Sequence, residues 1–87
     1  MGSRLLYVGG LTDATTAQHL RDLFAPFGIV EWAHIVNHKF TGKTAGYGFV
    51  EMDTADHALH AAAALEGMNY DGMRLRTYVT PSAHQRV

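Results

Sequence analysis

The chain has no cysteine and only two prolines among its 87 residues. Without cysteine, disulfides, thiolate metal sites and cysteine nucleophiles are excluded. An intracellular home is expected, because small domains in oxidising compartments commonly need such staples. No apolar run approaches the ~20 residues that span a bilayer, and the opening MGSRLLYVGG lacks a charged segment followed by a long apolar stretch. A soluble, unprocessed chain is expected, the cytoplasm being favoured over the nucleus or an organelle. A strong excess of one charge is missing too: the net charge is −1. A basic domain is the usual footprint of a nucleic-acid binder, so any such function must rest on where the charges lie.

What is present describes an ordinary folded chain. Hydrophobic residues make up 47% and charged residues 17%, far from the composition of disorder. A chain of this length has room for one core, and it buries only about 60 to 70% of its unfolded surface. We therefore expect one domain over residues 4–81, with 1–3 and 82–87 as flexible termini.

Along the chain, RLLYVGGL (4–11) reads as a strand closed by Gly9 and Gly10. TTAQHLRDLFAPFG (15–28) offers Thr15 or Thr16 as a helix cap, an apolar stripe at Leu20, Leu23, Phe24 and Phe27, and Pro26 to Gly28 as a stop. IVEWAHIV (29–36) is strand-like, but its inward candidates Val30, Ala33 and Ile35 break the period of two, which predicts a bulge near Glu31 and Trp32. NHKFTGK (37–43) is a polar loop in which Phe40 is expected to cover the sheet edge. KTAGYGFVEM (43–52) is a third strand. DTADHALHAAAALEG (53–67) is an alanine-rich helix capped by Asp53 or Thr54 and ended by Gly67, with Ala58, Ala61, Ala62 and Leu65 inward. NYDG (69–72) is a turn, and MRLRTYVT (73–80) alternates into a fourth strand that Pro81 ends.

The order strand, helix, strand, strand, helix, strand, with right-handed crossovers, gives an α+β fold: one four-stranded antiparallel sheet with both helices on one face. The opposite face stays open to water, and residue parity decides what it displays. In the third strand Val50 and Met52 share a face with Gly46 and Gly48, whereas Tyr47 and Phe49 share theirs with Ala45 and Glu51. Glu51 cannot sit unpaired in a core, so both rings point outward with it. The same parity turns Tyr7 outward on the first strand, and Arg74, Arg76 and Tyr78 outward on the fourth. Trp32 and His34 extend this surface beside Phe49. Such an aromatic patch marks a binding surface, suited to nucleobase stacking, and Gly46 and Gly48 would let flat partners approach the backbone. Lys39, Lys43, Arg74 and Arg76 lie on or beside the aromatic face, while Asp13, Asp22, Asp53, Asp56 and Glu66 lie on the helices or their leading turns.

These residues resemble the RNA recognition motif family. Its eight-residue signature, Lys/Arg-Gly-Phe/Tyr-Gly/Ala-Phe/Tyr-Val-x-Phe/Tyr, is matched at six of eight positions by Ala45-Gly46-Tyr47-Gly48-Phe49-Val50-Glu51-Met52. Its six-residue signature is similar to Leu6-Tyr7-Val8-Gly9-Gly10-Leu11, and FAPFG, FTGK and Asp71-Gly72 fall at family positions. The resemblance implies a ferredoxin-like β-α-β-β-α-β sandwich that binds single-stranded RNA, or single-stranded DNA, as a monomer. Tyr7 and Tyr47 would stack on bases while Phe49 lies between sugars or supports a stack. Ala45 replaces the basic residue that commonly contacts phosphate in the family, Gly10 stands where asparagine is frequent, and Met52 fills an inward aromatic position.

No enzyme, cofactor or metal site is expected. The metal carriers of this strand order use a Cys-x-x-Cys loop, and an acylphosphatase needs an arginine after the first strand, where GGLTDATT has none. His57 and His60 are three apart on one helix but lack a third ligand of suitable spacing. The rival function is a protein-interaction module that uses the sheet or helix face.

Overall fold

The computed structural model describes residues 2–81, so the expected tail 82–87 and Met1 lie outside the described residues. Strand β1 (Leu5–Gly9) leads to helix α1 (Ala17–Phe24). Thr16 caps that helix: its Oγ1 accepts the His19 N–H at 3.1 Å, and His19 Nδ1 accepts the Thr16 N–H at 3.0 Å. Each partner thus satisfies a donor that the first helical turn leaves free. A 3₁₀ turn (Ala25–Phe27) with Pro26 near its start ends the helix at Gly28. Strands β2 (Val30–Asn37) and β3 (Thr44–Met52) follow, then helix α2 (Ala55–Leu65), capped by Thr54.

The four-stranded sheet is antiparallel in the order β2-β3-β1-β6, where β6 is Arg76–Val79. Leu6, Val8, Val50, Met52, Leu75 and Thr77 are buried beneath the helices, against Leu20 and Phe24 of α1 and Ala58, Ala61, Ala62 and Leu65 of α2. Three of the four buried residues of α2 are alanines, so most of its inner face is small. Thr77, the one polar residue of β6 that is buried, donates from Oγ1 to the Ala62 carbonyl at 2.7 Å, so its hydroxyl is satisfied where desolvation would otherwise be costly.

The expected bulge in β2 is present. Val30 pairs with Met52 and Trp32 with Glu51, leaving Glu31 as the extra residue, and the register slips again between Ile35 and Asn37. The fourth strand differs from expectation. Met73–Arg74 is a separate short strand, β5, pairing only with β4 (Asn69–Tyr70) in a two-residue hairpin. Asp71 at φ 54° and Gly72 at φ 80° form its turn, as a hairpin of opposite hand to common turns requires. Leu75 is buried, and its N–H and carbonyl bond to Met68 O and Gly67 N at 2.8 Å each, so pairing with β1 starts only at Arg76. Gly48 differs as well. The space where its Cβ would lie is occupied by the His34 carbonyl of β2, so this glycine serves strand approach within the sheet, not a partner above it.

Two consequences can be measured. Gly10 has φ 82°, and a Cβ there would run into the Arg74 carbonyl. Gly10→Ala should therefore lower unfolding free energy by about 2 kcal/mol or more in a urea titration. At the start of α2, His57 Nδ1 donates to Asp53 Oδ1 at 2.7 Å, and this bond holds the Asp53 carboxyl below its ordinary value. The stability that Asp53 contributes is then complete above about pH 4, its unfolded range, and is lost as pH falls through the lower folded value. Thermal melts of Asp53→Asn should lie below the parent at pH 6 and converge with it toward pH 2.

Candidate nucleic-acid interface

The open face of the sheet is organised in rows by its register. One row crosses all four strands: His34 opposes Phe49, Phe49 opposes Tyr7, and Tyr7 opposes Tyr78. The next row runs Tyr47, Gly9, Arg76, so the centre of that row has no side chain. The Tyr7 ring occupies the vacancy: a Cβ on Gly9 would sit within about 3 Å of three atoms at the hydroxyl end of the ring. Tyr7 therefore lies down over the β1 backbone, not upright in water. It stacks with Tyr78 at 4.8 Å between centroids and 19° between planes, and with Tyr47 at 5.6 Å and 26°. These are offset stacks of the kind aromatic quadrupoles favour.

Phe49 adopts the other orientation, edge-on to Tyr7 at 74° and to Tyr47 at 89°. Its plane is thus nearly perpendicular to both tyrosine rings, with centroids 6.1 Å from each. On β2, Trp32 and His34 are both exposed and outward, their rings 5.7 Å apart and within 15° of parallel. The structure thus brings together Tyr7, Tyr47, Phe49, Tyr78, Trp32 and His34 on one face.

The cations are distributed less simply than sequence parity suggests. Lys43 is exposed immediately before β3, and Lys39 is exposed in the loop that joins β2 to β3. Arg76 is exposed on the edge strand, but its Nε lies 3.4 Å from Glu66 Oε2, while Glu66 Oε1 accepts the Thr77 N–H at 2.6 Å. Sequence reasoning placed Glu66 with the helix. Its position at the end of α2 lets it satisfy an edge N–H of the sheet and hold the arginine beside it. Arg74 sits on the β4–β5 hairpin, outside the four-stranded sheet. At the opposite end, Arg4 binds Glu31 at 3.2 Å and Glu51 at 3.3 Å, a pairing that parity did not reveal. Phe40 does not cover the sheet edge: it is 94% exposed, with the Lys39 ammonium 5.8 Å from its ring centre. The loop around it is closed by its own bonds, His38 N–H to Lys43 O and Gly42 N–H to His38 O, which leaves the ring nothing to pack on.

A family model, the RNA recognition motif, matches residues 6–76. The chain belongs to the RNA recognition motif family. Among curated relatives, the 29 kDa ribonucleoprotein, chloroplastic, of Arabidopsis thaliana is 35% identical over 93% of this chain and 24% of its own length. The small ribosomal subunit protein uS19m of the same plant is 36% identical over 88% of this chain and 36% of its own length. The chain thus spans between about a quarter and about a third of these relatives. Since the first is chloroplastic by name, the cytoplasmic expectation draws no support from it. Solved structures agree in fold: the RNA-binding protein PG1 superposes with a TM-score of 0.85 at 29% identity, covering 90% of this chain and 94% of that one. A Sex-lethal protein/RNA complex superposes at 0.82 with 26% identity, over 88% of this chain and 47% of that one.

For this family member, the seat of Tyr7 on Gly9 is open to direct test. The nearest atoms that a methyl at Gly9→Ala would meet all belong to the hydroxyl end of the Tyr7 ring, a side chain that can swing away. The substitution should cost less than about 1 kcal/mol of stability yet lift the ring from its seat. The expected readout is loss of the Tyr7–Tyr78 ring-current shifts and cross-peaks in proton NMR, with the remaining amide spectrum preserved.

Proposed function

We propose that this chain binds single-stranded RNA on the open sheet face, without catalysis, in post-transcriptional regulation or processing. Bases stack on Tyr7 and Tyr47, Tyr78 lengthens that row, and Phe49 guides the strand edge-on. Lys43, Lys39 and Arg76 lie within reach of phosphates around the row, and Arg74 adds charge from the hairpin. The observation that carries this reading is the tyrosine row itself: Tyr7 lies over Gly9 and stacks with Tyr47 and Tyr78, an arrangement ordered in advance for a planar ligand. Aromatic faces hold bases with about 1 to 3 kcal/mol each and tolerate any sequence. The relative named as a ribonucleoprotein, and the RNA-bound neighbour in fold, support RNA over a protein partner.

The magnitude follows from the parts. Two good stacks supply roughly 2 to 6 kcal/mol, and micromolar affinity needs about 8; about three phosphate contacts supply the remainder. Binding of a short oligonucleotide at physiological salt is therefore micromolar, by a monomer.

In a titration of isotope-labelled protein with short RNA of mixed sequence, amides at 5–9, 45–50 and 76–80 should shift. Tyr47→Ala should weaken binding about five- to a hundredfold, and log K should fall with log salt at a slope near −2. Affinity that ignores both salt and Tyr47→Ala would transfer the surface to a protein partner.

A further inference from the structure

We infer that Glu66 competes with the RNA backbone for Arg76. Its carboxylate holds the guanidinium at the outer edge of β6, a phosphate must displace it, and the sheet face therefore binds RNA less tightly than its rings and cations alone would allow. The inference rests on the RNA-binding reading of the sheet face and adds to it a residue that limits the affinity.

The case begins at the end of α2. Glu66 is the residue on which that helix closes, and the last helical turn carries no cation. A carboxylate at a helix C-terminus meets the negative end of the macrodipole, so nothing in the helix itself favours an acid there. What holds it comes from another part of the chain. Its Oε1 accepts the Thr77 N–H at 2.6 Å, and its Oε2 lies 3.4 Å from Arg76 Nε. Among the described residues β6 has β1 as its one neighbour in the sheet, with Thr77 opposite Val8 and Arg76 opposite Gly9. The Thr77 N–H is thus an edge donor, and the bond to it fixes the carboxylate on the outer side of β6.

Arg76 starts beside the tyrosine row, because the Tyr7 ring lies over the Gly9 that it opposes. Its Nε nevertheless meets the carboxylate at the edge. A carboxylate and a phosphate offer a guanidinium the same kind of charged oxygen acceptor, so one can take the place of the other. The pair does not block access. The Arg76 side chain is 71% exposed and that of Glu66 47%, and ion pairs in such surroundings are weak. Displacement is therefore easy, and it shows as a modest loss of affinity. Lys39 and Lys43 differ: among the described residues neither is paired with a carboxylate. They meet phosphate without giving up a partner, whereas Arg76 exchanges one anion for another.

Glu66→Gln tests this directly, because the amide oxygen can still accept the Thr77 N–H while the charge is gone. With a mixed-sequence single-stranded hexanucleotide RNA at low salt, the variant should bind about two- to fivefold more tightly than the parent, the range that a surface ion pair spans. Because the effect acts through Arg76, the gain should disappear when Glu66→Gln is made in an Arg76→Gln chain, and in the single variant it should shrink as salt rises. Unchanged or weaker binding by Glu66→Gln, with its amide spectrum otherwise preserved, would overturn the inference. So would a gain of the same size in the Arg76→Gln chain, which would mark a general repulsion between Glu66 and RNA instead of a contest for the arginine. If the folded parent bound no RNA, the reading of the sheet face itself would fall, and the inference with it.

Discussion

Everything on the open face of the sheet depends on burying the other one. Leu6, Val8, Val50 and Met52 lose all contact with water beneath Leu20, Phe24 and the alanines of α2, and each such side chain contributes roughly 1.5 to 3 kcal/mol on burial. Because strand side chains alternate, a slip of one residue in β1 or β3 would put those groups in water and the tyrosines in the core. The hydrophobic effect therefore fixes the register, and the register fixes which rings are displayed. Function here is the complement of packing: the face left over when two helices are enough to cover only one.

A row of tyrosines in water would ordinarily be mobile, and ordering it on binding would cost side-chain entropy. The sheet reduces that cost in advance. The Tyr7 ring fills the gap over Gly9, leans on Tyr78 and Tyr47, and meets the edge of Phe49. Each ring restricts its neighbours, so a planar ligand binding as proposed would meet a surface already arranged. Glu66 acts likewise at the edge strand, where one carboxylate satisfies the Thr77 N–H and restrains Arg76. By occupying that N–H it also blunts an edge that would otherwise invite strand addition.

Much of this was legible in the residues. The parity of β1 and β3, the apolar stripe of α1, the alanine face of α2 and the bulge at Glu31 all follow from period and polarity, because each concerns a residue's own strand or helix. What escaped was whatever depends on two distant segments meeting. Nothing local to Gly48 says that the His34 carbonyl fills its missing side chain. MRLRTYVT alternates well enough to read as one strand, and only the Asp71-Gly72 turn, with Leu75 bonded to Gly67 and Met68, divides it. The pairings of Arg4 with Glu31 and Glu51 join residues 27 and 47 positions apart. Phe40 failed for the opposite reason: a large ring in a polar loop invites a packing partner, and the loop closes on itself without supplying one.

The charge distribution explains how a chain of net charge −1 can hold a polyanion. The acidic groups on or beside the face are engaged. Asp13 accepts the Thr44 N–H, Glu66 restrains Arg76, and Arg4 holds Glu31 and Glu51. Lys39 and Lys43 remain exposed at the loop end of β3, near the tyrosine row. With Ala45 in place of the signature cation, the proposed reading gives electrostatics a shallow, salt-sensitive share of binding and leaves the rest to stacking. Stacking acts through the π-face that all bases share, whereas a cation at a fixed point registers only the phosphate. On the proposed reading, a surface built mainly from rings selects for unpaired, splayed bases over duplex: a stacked duplex offers its phosphates freely but hides the base faces that such rings would receive.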